Sequence, residues 1–249
     1  MKTERNYEKE LIKKIEDISY IAGLYSTDVW SYLITIIACD IDTLFIPNEK
    51  RKEEKHSLVQ RLNLTDKTHL ISETIAIISD ALQDNPEQDF LGHTYMNLNL
   101  GKKSYGQTFT PYHISELMSK LTFNKEIYEK ACSDEEYVKV SDCCVGGGVM
   151  LIAHHNMIKE EGLPSRKFLY IGQDIDRTAI MMAYIQLSFL GCNACLCVGN
   201  SLTHPVQFNK DGITPISTKD NEIWTTIGYK MIILDNLKKE IDNLYQKTV

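Results

Sequence analysis

Apolar residues recur at helical spacing through the first third of the chain, with Lys and Glu between them. Tyr7, Leu11, Ile15 and Ile18 fall on one side of a predicted helix. Val29 to Leu44 is denser in apolar residues and reads as a buried helix that ends near Pro47. Leu70, Ile71, Ile75, Ile78 and Leu82 mark a third helix, stopped between Asp84 and Pro86. The mixed-charge run NEKRKEEKH (48–56) reads as a solvated loop or a helix end. No internal repeat is visible. Residues 1–88 are therefore expected to form a helical N-terminal subdomain, and residues 89–249 a second domain.

From Asp89 the pattern changes. Thr110-Pro111 precedes Ile114, Leu117, Met118 and Leu121, the start of an apolar-periodic helix in which threonine can cap and proline fits the first turn. An ordinary capped helix does not require the Gly106-Gln107 lead-in or Phe109 just before the cap. A polar helix or loop spans 124–136, and three strand-then-loop units follow. Tyr137 to Ser141 runs into DCCVGGG (142–148), with a helix from Val149. FLYIGQDID (168–176) is a buried strand followed by a helix over 178–190. Ala194 to Val198 then runs into GNSLTHP (199–205). This alternation predicts a doubly wound α/β sheet, in which ligands gather at the carboxyl ends of the strands. Gly146, Gly147 and Gly148 make a tight turn that brings backbone N–H groups and a helix N-terminus to a nucleotide-like ligand. Asp174 and Asp176 follow about 30 residues later, where a carboxylate can accept from two ribose hydroxyls. Asp176 is read as the cap of the next helix, which leaves Asp174 for the hydroxyls.

Composition narrows the partners. A net charge of −7 advertises no basic surface, so contact with nucleic acid would have to use local patches. No apolar run approaches the ~20 residues of a membrane span, and the polar start MKTERNYEKE is unlike a secretory signal. Seven cysteines, an odd number, point to reduced thiols and a cytoplasmic setting. Cys195 and Cys197 share one face of a strand, with Cys143-Cys144 expected to end a neighbouring one; they read as core thiols, and no metal is expected. His154-His155 lies on one helix, where adjacent residues point different ways.

In their order, GQTFTP (106–111), DCCVGGG (142–148), GQDID (172–176) and GNSL (199–202) resemble the motifs of N6-adenine DNA methyltransferases. The likeness is nearest to modification subunits of type I restriction systems and to short phage or mobile-element relatives, and it covers residues 89–205. It implies a Rossmann-like S-adenosylmethionine-dependent methyltransferase core behind the helical N-terminal region. Position by position, it implies that Phe109, Thr110 and Pro111 line the methionine end of S-adenosylmethionine. Asp142, Gly146 and Gly148 would form the turn beneath it, Asp174 would hold the ribose, and Asn200 would meet the adenine edge. DNA is the implied substrate, and a restriction or defence subunit is a candidate protein partner.

This sequence departs from the family pattern in three places. Asp142-Cys143 stands where Asp-Pro is usual. Asn200 stands where Asp is usual, which keeps an acceptor but loses the charge. No Asn-Pro-Pro-Tyr/Phe, nor its Asp variant, follows Asn200. That motif would hold the exocyclic amine and stack on a flipped base. Residues 228–237 read either as a fourth strand ending at Asp235-Asn236 or as part of an amphipathic helix from about Ile223 to Tyr245. The register of Ile227, Met231, Leu234, Leu237, Ile241 and Leu244 favours the helix. The stretch after Asn200 is also short for the remaining strands of a complete enzyme, so the C-terminal half of the core is expected to be incomplete. Two classes of function follow: an adenine-specific DNA methyltransferase, or a relative without catalysis that acts by binding or as one half of a split enzyme.

Overall fold

A computed structural model describes residues 5–98, 109–133 and 137–248, without the side chains of 240 and 243–248. Five helices come first: α1 (Tyr7–Ala22), α2 (Ser26–Thr43), α3 (Glu49–Arg61), α4 (His69–Asp84) and α5 (Phe90–Asn97). Asn6 caps α1 by accepting the Lys9 N–H, and the predicted stripe of Leu11, Ile15 and Ile18 is buried. Apolar on most sides, α2 is buried from Val29 to Cys39 except at Ser31 and Tyr32, and lies at the centre of the helical layer. The charged run 48–56 does more than end a helix. It forms most of α3, because Asn48 caps the first turn and Lys52 pairs with Glu49 on the exposed side.

The second half contains α6 (Tyr112–Thr122), α7 (Lys125–Ser133), β1 (Val138–Asp142), α8 (Val149–Glu160), β2 (Phe168–Asp174), α9 (Arg177–Phe189), β3 (Ala194–Val198), β4 (Glu222–Thr225) and α10 (Ile227–Thr248). The sheet order is β1-β2-β3-β4, with the first three strands parallel and β4 antiparallel. The expected strand-to-loop units are therefore present. The helix expected from about Ile223 begins instead at Ile227, and Ile223 to Thr225 belong to β4. There, Cys195 and Cys197 of β3 pair with Thr225 and Ile223. Residues 228–237 are helical throughout.

β2 is buried on both faces. Phe168 and Tyr170 pack into a core that also holds Leu11, Trp30, Ile78, Tyr184 and Trp224, so the helical layer and the sheet share one apolar cluster. Leu169 faces the other way, into a smaller cluster with Cys195, Ile213 and Tyr229. α9 is sandwiched between α2 and the sheet and is buried from Ala179 to Leu187. Among the described residues no single helix is long and apolar enough to cross a membrane.

An ionic network joins the two halves. Arg51 of α3 lies 3.4 Å above the Trp224 ring and pairs with Glu222, while Arg177 of α9 reaches Glu222 at 2.7 Å and Glu54 at 2.8 Å. Burial by itself would raise the Glu222 carboxyl. The hydrogen bonds from Arg177 and Arg51 outweigh it and hold the group at about 2, against an ordinary 4.5.

Glu222→Gln should cost about 2 kcal/mol in urea unfolding. This is less than the ~3–5 kcal/mol of a fully buried pair, because the Glu222 side chain is 27% exposed. A carboxyl depressed by folding stabilises the fold above its unfolded value. The gap between wild type and variant should therefore close as pH falls from about 4.5 towards about 2.

Candidate functional site

Parallel pairing sets the carboxyl ends of β1, β2 and β3 side by side, with Asp142 opposite Gly172 and Asp174 opposite Val198. The loops that leave these ends meet at one place. Asp142 Oδ1 accepts the Cys144 N–H at 3.0 Å, which turns the chain sharply out of β1. Burial raises the Asp142 carboxyl above its ordinary range, and the neighbouring Asp174 charge pushes the same way. The Val145 N–H then donates to the Gln173 carbonyl at 3.0 Å, which stitches the turn to β2.

Asp174 is the hinge of this arrangement. Its Oδ2 accepts the Gly146 N–H at 2.9 Å and its Oδ1 accepts the Asp176 N–H at 2.9 Å. Each carboxylate oxygen can take a second bond, so both keep acceptor capacity towards an outside pair of hydroxyls. As expected, Asp176 caps α9 by accepting the Thr178 N–H at 2.8 Å.

The glycines are needed for two separate reasons. Gly146 has φ of +53° and Gly148 of +96°, conformations that side-chain-bearing residues rarely adopt. A Cβ on Gly146 would also stand 3.0 Å from the Phe109 ring, and one on Gly148 would stand 3.2 Å from the Ala183 methyl. Phe109 and the turn are thus in direct contact. No side chain caps α8 at its start, which leaves first-turn N–H groups available to an external acceptor.

The other expected site residues fall as follows. Thr110 and Pro111 are exposed beside Phe109, but the threonine does not cap: α6 starts at Tyr112 with Pro111 in the cap position and no capping side chain. Gly106 and Gln107 lie outside the described residues. Asn200 follows β3, and its Oδ1 accepts the Leu202 and Thr203 N–H groups at 3.0 and 3.2 Å. Both lone pairs of that oxygen are therefore engaged within the loop, and a ligand would meet the NH2 side of the amide. Cys143-Cys144 are exposed, not core thiols, and do not neighbour the β3 cysteines, because β2 lies between β1 and β3. His154 and His155 are both buried, and burial lowers each imidazole to about 4.

Two residues not singled out from the sequence support the turn from below. Asp89, 6% exposed, caps α5 by accepting the Gly92 N–H at 2.9 Å. Its Oδ1 also accepts Gln186 Nε2 at 2.8 Å, and the same amide donates to the Gly147 carbonyl at 2.9 Å. Gln186 Oε1 in turn accepts the Leu91 N–H at 3.0 Å. Desolvation raises the Asp89 carboxyl, partly offset by its bonds to Gln186 and Gly92. An Asp before the apolar run FLGH could have been read as a cap. Gln186 carries no such signal, since its partners at Asp89, Leu91 and Gly147 lie far along the chain.

A family model described as N-6 DNA Methylase matches residues 87–221, more than half of the chain, and spans every residue from Phe109 to Asn200 discussed above. No curated protein matches the chain. Two solved structures are similar. One is described as a class I S-adenosylmethionine-dependent methyltransferase from Listeria monocytogenes, at 14% identity and TM-score 0.39, covering 82% of this chain and 61% of that one. The other is a type I restriction-modification system methyltransferase subunit from Streptococcus thermophilus, at 13% identity and TM-score 0.40, covering 82% and 60%. The chain spans about three fifths of the length of each.

Gln186→Leu should leave Asp89 and the Gly147 carbonyl without their shared donor in a dry setting. A loss of roughly 2–3 kcal/mol is expected in chemical denaturation, the cost of stranding buried polar groups. A variant as stable as wild type would show that the turn does not depend on this amide.

Proposed function

The chain belongs to the N-6 DNA methylase family, and on that premise we propose that it binds S-adenosylmethionine on the glycine turn and takes part in methyl transfer to N6 of adenine in DNA. The observation that carries this reading is the Asp174 carboxylate. It fixes the turn through the Gly146 N–H while keeping acceptor capacity on both oxygens. The close contact of Phe109 with Gly146 supports an apolar wall for the methionine end, continued by Thr110 and Pro111. Asp142 and Gly148 shape the turn from either side, and Asn200 offers its amide N–H groups to a ring nitrogen of the cofactor's adenine. When bound, S-adenosylmethionine supplies an electrophilic methyl group on a sulfonium.

The chain's own contribution to the acceptor side is thin. The sequence contains no Asn-Pro-Pro-Tyr/Phe, and Asp235-Asn236 lies within α10 rather than at the end of a strand. This favours a second reading, in which these residues keep the cofactor fold and the adenine acceptor comes from outside them. Such a protein is either completed by another polypeptide or acts by binding, as a phage or mobile-element factor would on a host restriction or defence complex. A cytoplasmic setting goes with both readings. The division at residue 88 is likewise proposed, and the matched segment beginning at residue 87 supports it.

Calorimetric titration with S-adenosylmethionine tests the common premise. Wild type should bind, and Asp174→Ala should lose at least about tenfold in affinity, ~1.4 kcal/mol. Absence of binding by wild type rejects the cofactor reading, and unchanged affinity in the variant rejects the role of Asp174. Transfer of labelled methyl to DNA by the chain alone would establish the enzyme. Transfer only in the presence of a second protein would establish the split form.

A further inference from the structure

Gln173 stands between Gly172 and Asp174 in the buried strand β2, and is 4% exposed. An amide buried in such a place is unfavourable unless both of its ends are bonded. Alternation along β2 puts Gln173 on the face of Leu169, opposite that of Asp174. There its Nε2 donates to the His204 carbonyl at 2.9 Å, and its Oε1 accepts the Val206 N–H at 2.9 Å. Both ends of the amide are therefore engaged by the loop that follows β3.

That loop carries Asn200 and is closed on itself. The Asn200 carbonyl accepts the His204 N–H at 2.8 Å, and Asn200 Oδ1 accepts from Leu202 and Thr203. Two attachments join this unit to β2. At its start the Gly199 N–H donates to the Asp174 carbonyl at 2.9 Å, and at its end Gln173 holds His204 and Val206. A unit held by one bond can pivot; a two-bond clamp at the far end removes that freedom. The exposed His204–Asp220 pair, 3.8 Å apart, adds little.

The start of the loop is confined as well. A Cβ on Gly199 would collide with Asn221 Oδ1 and stand 3.2 Å from Gln173 Nε2. Gly199 is not among the glycines with positive φ, so close approach is what excludes a side chain here.

Gln173 also touches the opposite wall of the site. Its backbone carbonyl accepts the Val145 N–H at 3.0 Å, in the turn that leaves β1. One residue thus holds the approach to the glycine turn through its main chain and the Asn200 loop through its side chain. We propose that Gln173 is a positioning residue for the adenine end of the cofactor: its side-chain amide fixes where Asn200 stands relative to the glycine turn. The main-chain bond survives substitution and the side-chain bonds do not, so the two walls can be uncoupled. The inference rests on the cofactor reading above and adds a residue which that reading does not use.

The test uses the full 249-residue chain and Gln173→Met, which keeps the length of the side chain and loses both hydrogen-bonding ends. Without cofactor, amide exchange read by NMR should quicken about tenfold or more at Leu202, Thr203 and His204, whose acceptor Asn200 is unaltered. Exchange at Gly146 should stay as in wild type. In calorimetry the substitution should weaken S-adenosylmethionine about tenfold or more. It should cost the same factor with Phe109→Ala already present, and less than about twofold with Asn200→Ala present. A general loosening of the fold would lower affinity equally in both backgrounds, and that result overturns the proposal. So does unchanged exchange in the loop, or unchanged affinity in Gln173→Met. If the methionine variant does not fold, Gln173→Glu, which keeps an acceptor for Val206 and loses the donor to His204, carries the same measurements. Wild type that binds no S-adenosylmethionine rejects the cofactor reading and this role with it. Wild type that binds, with additive losses from Gln173 and Asn200, rejects the role of Gln173 alone.

Discussion

The site is organised by one carboxylate at the end of the most buried strand. β2 is covered on both faces, which gives Asp174 a rigid base, and each of its oxygens holds a backbone N–H from a different loop. Through Gly146 it sets the glycine turn, and through Asp176 it sets the approach to α9. The positive φ values of Gly146 and Gly148 follow from this closure. The chain must fold back sharply from β1 to meet a carboxylate on the next strand, and Phe109 fills the space that a side chain would take.

Further layers fix that base in turn. Gln186 links the Gly147 carbonyl to Asp89 and so ties the turn to α5. Arg51 and Arg177 converge on Glu222 and the Trp224 ring, tying α3, α9 and the antiparallel β4 together. The helical layer is therefore the other wall of a shared core. By contrast, the edge of β1 and the outer faces of α6 and α10 take no part in that core.

The sheet units were legible because each strand is a short run, apolar in β2 and β3 and alternating in β1, closed by Gly or Asp, and each crossover helix is apolar enough to be buried. The residues that build the turn were legible for a related reason: turn chemistry is local, and an Asp at a strand end or a Gly between strand and helix announces itself. Two features were not legible. The charged run 48–56 looked solvated because the ionic partners of Arg51 and Glu54 lie far along the chain, at Glu222 and Arg177. β4 was hidden because Ile223 fits the helical register that resumes at Ile227. Pairing with β3 decides between the two, and pairing is not a local property.

By itself the sequence determined the helical first part, the alternation of strands and helices, the turn at 146–148 and the pairing of Asp174 with a cap at Asp176. These depend on periodicity and on contacts within a few residues. Only the tertiary structure decided that Asn200 spends its carbonyl oxygen within its own loop and that Gln186 supports the turn. It also decided that the apolar stripe of Ile114, Leu117, Met118 and Leu121 faces outward. A helical pattern shows that an apolar face exists; whether it meets a core depends on what packs against the helix, and in α6 the buried side is that of Ser115 and Ser119.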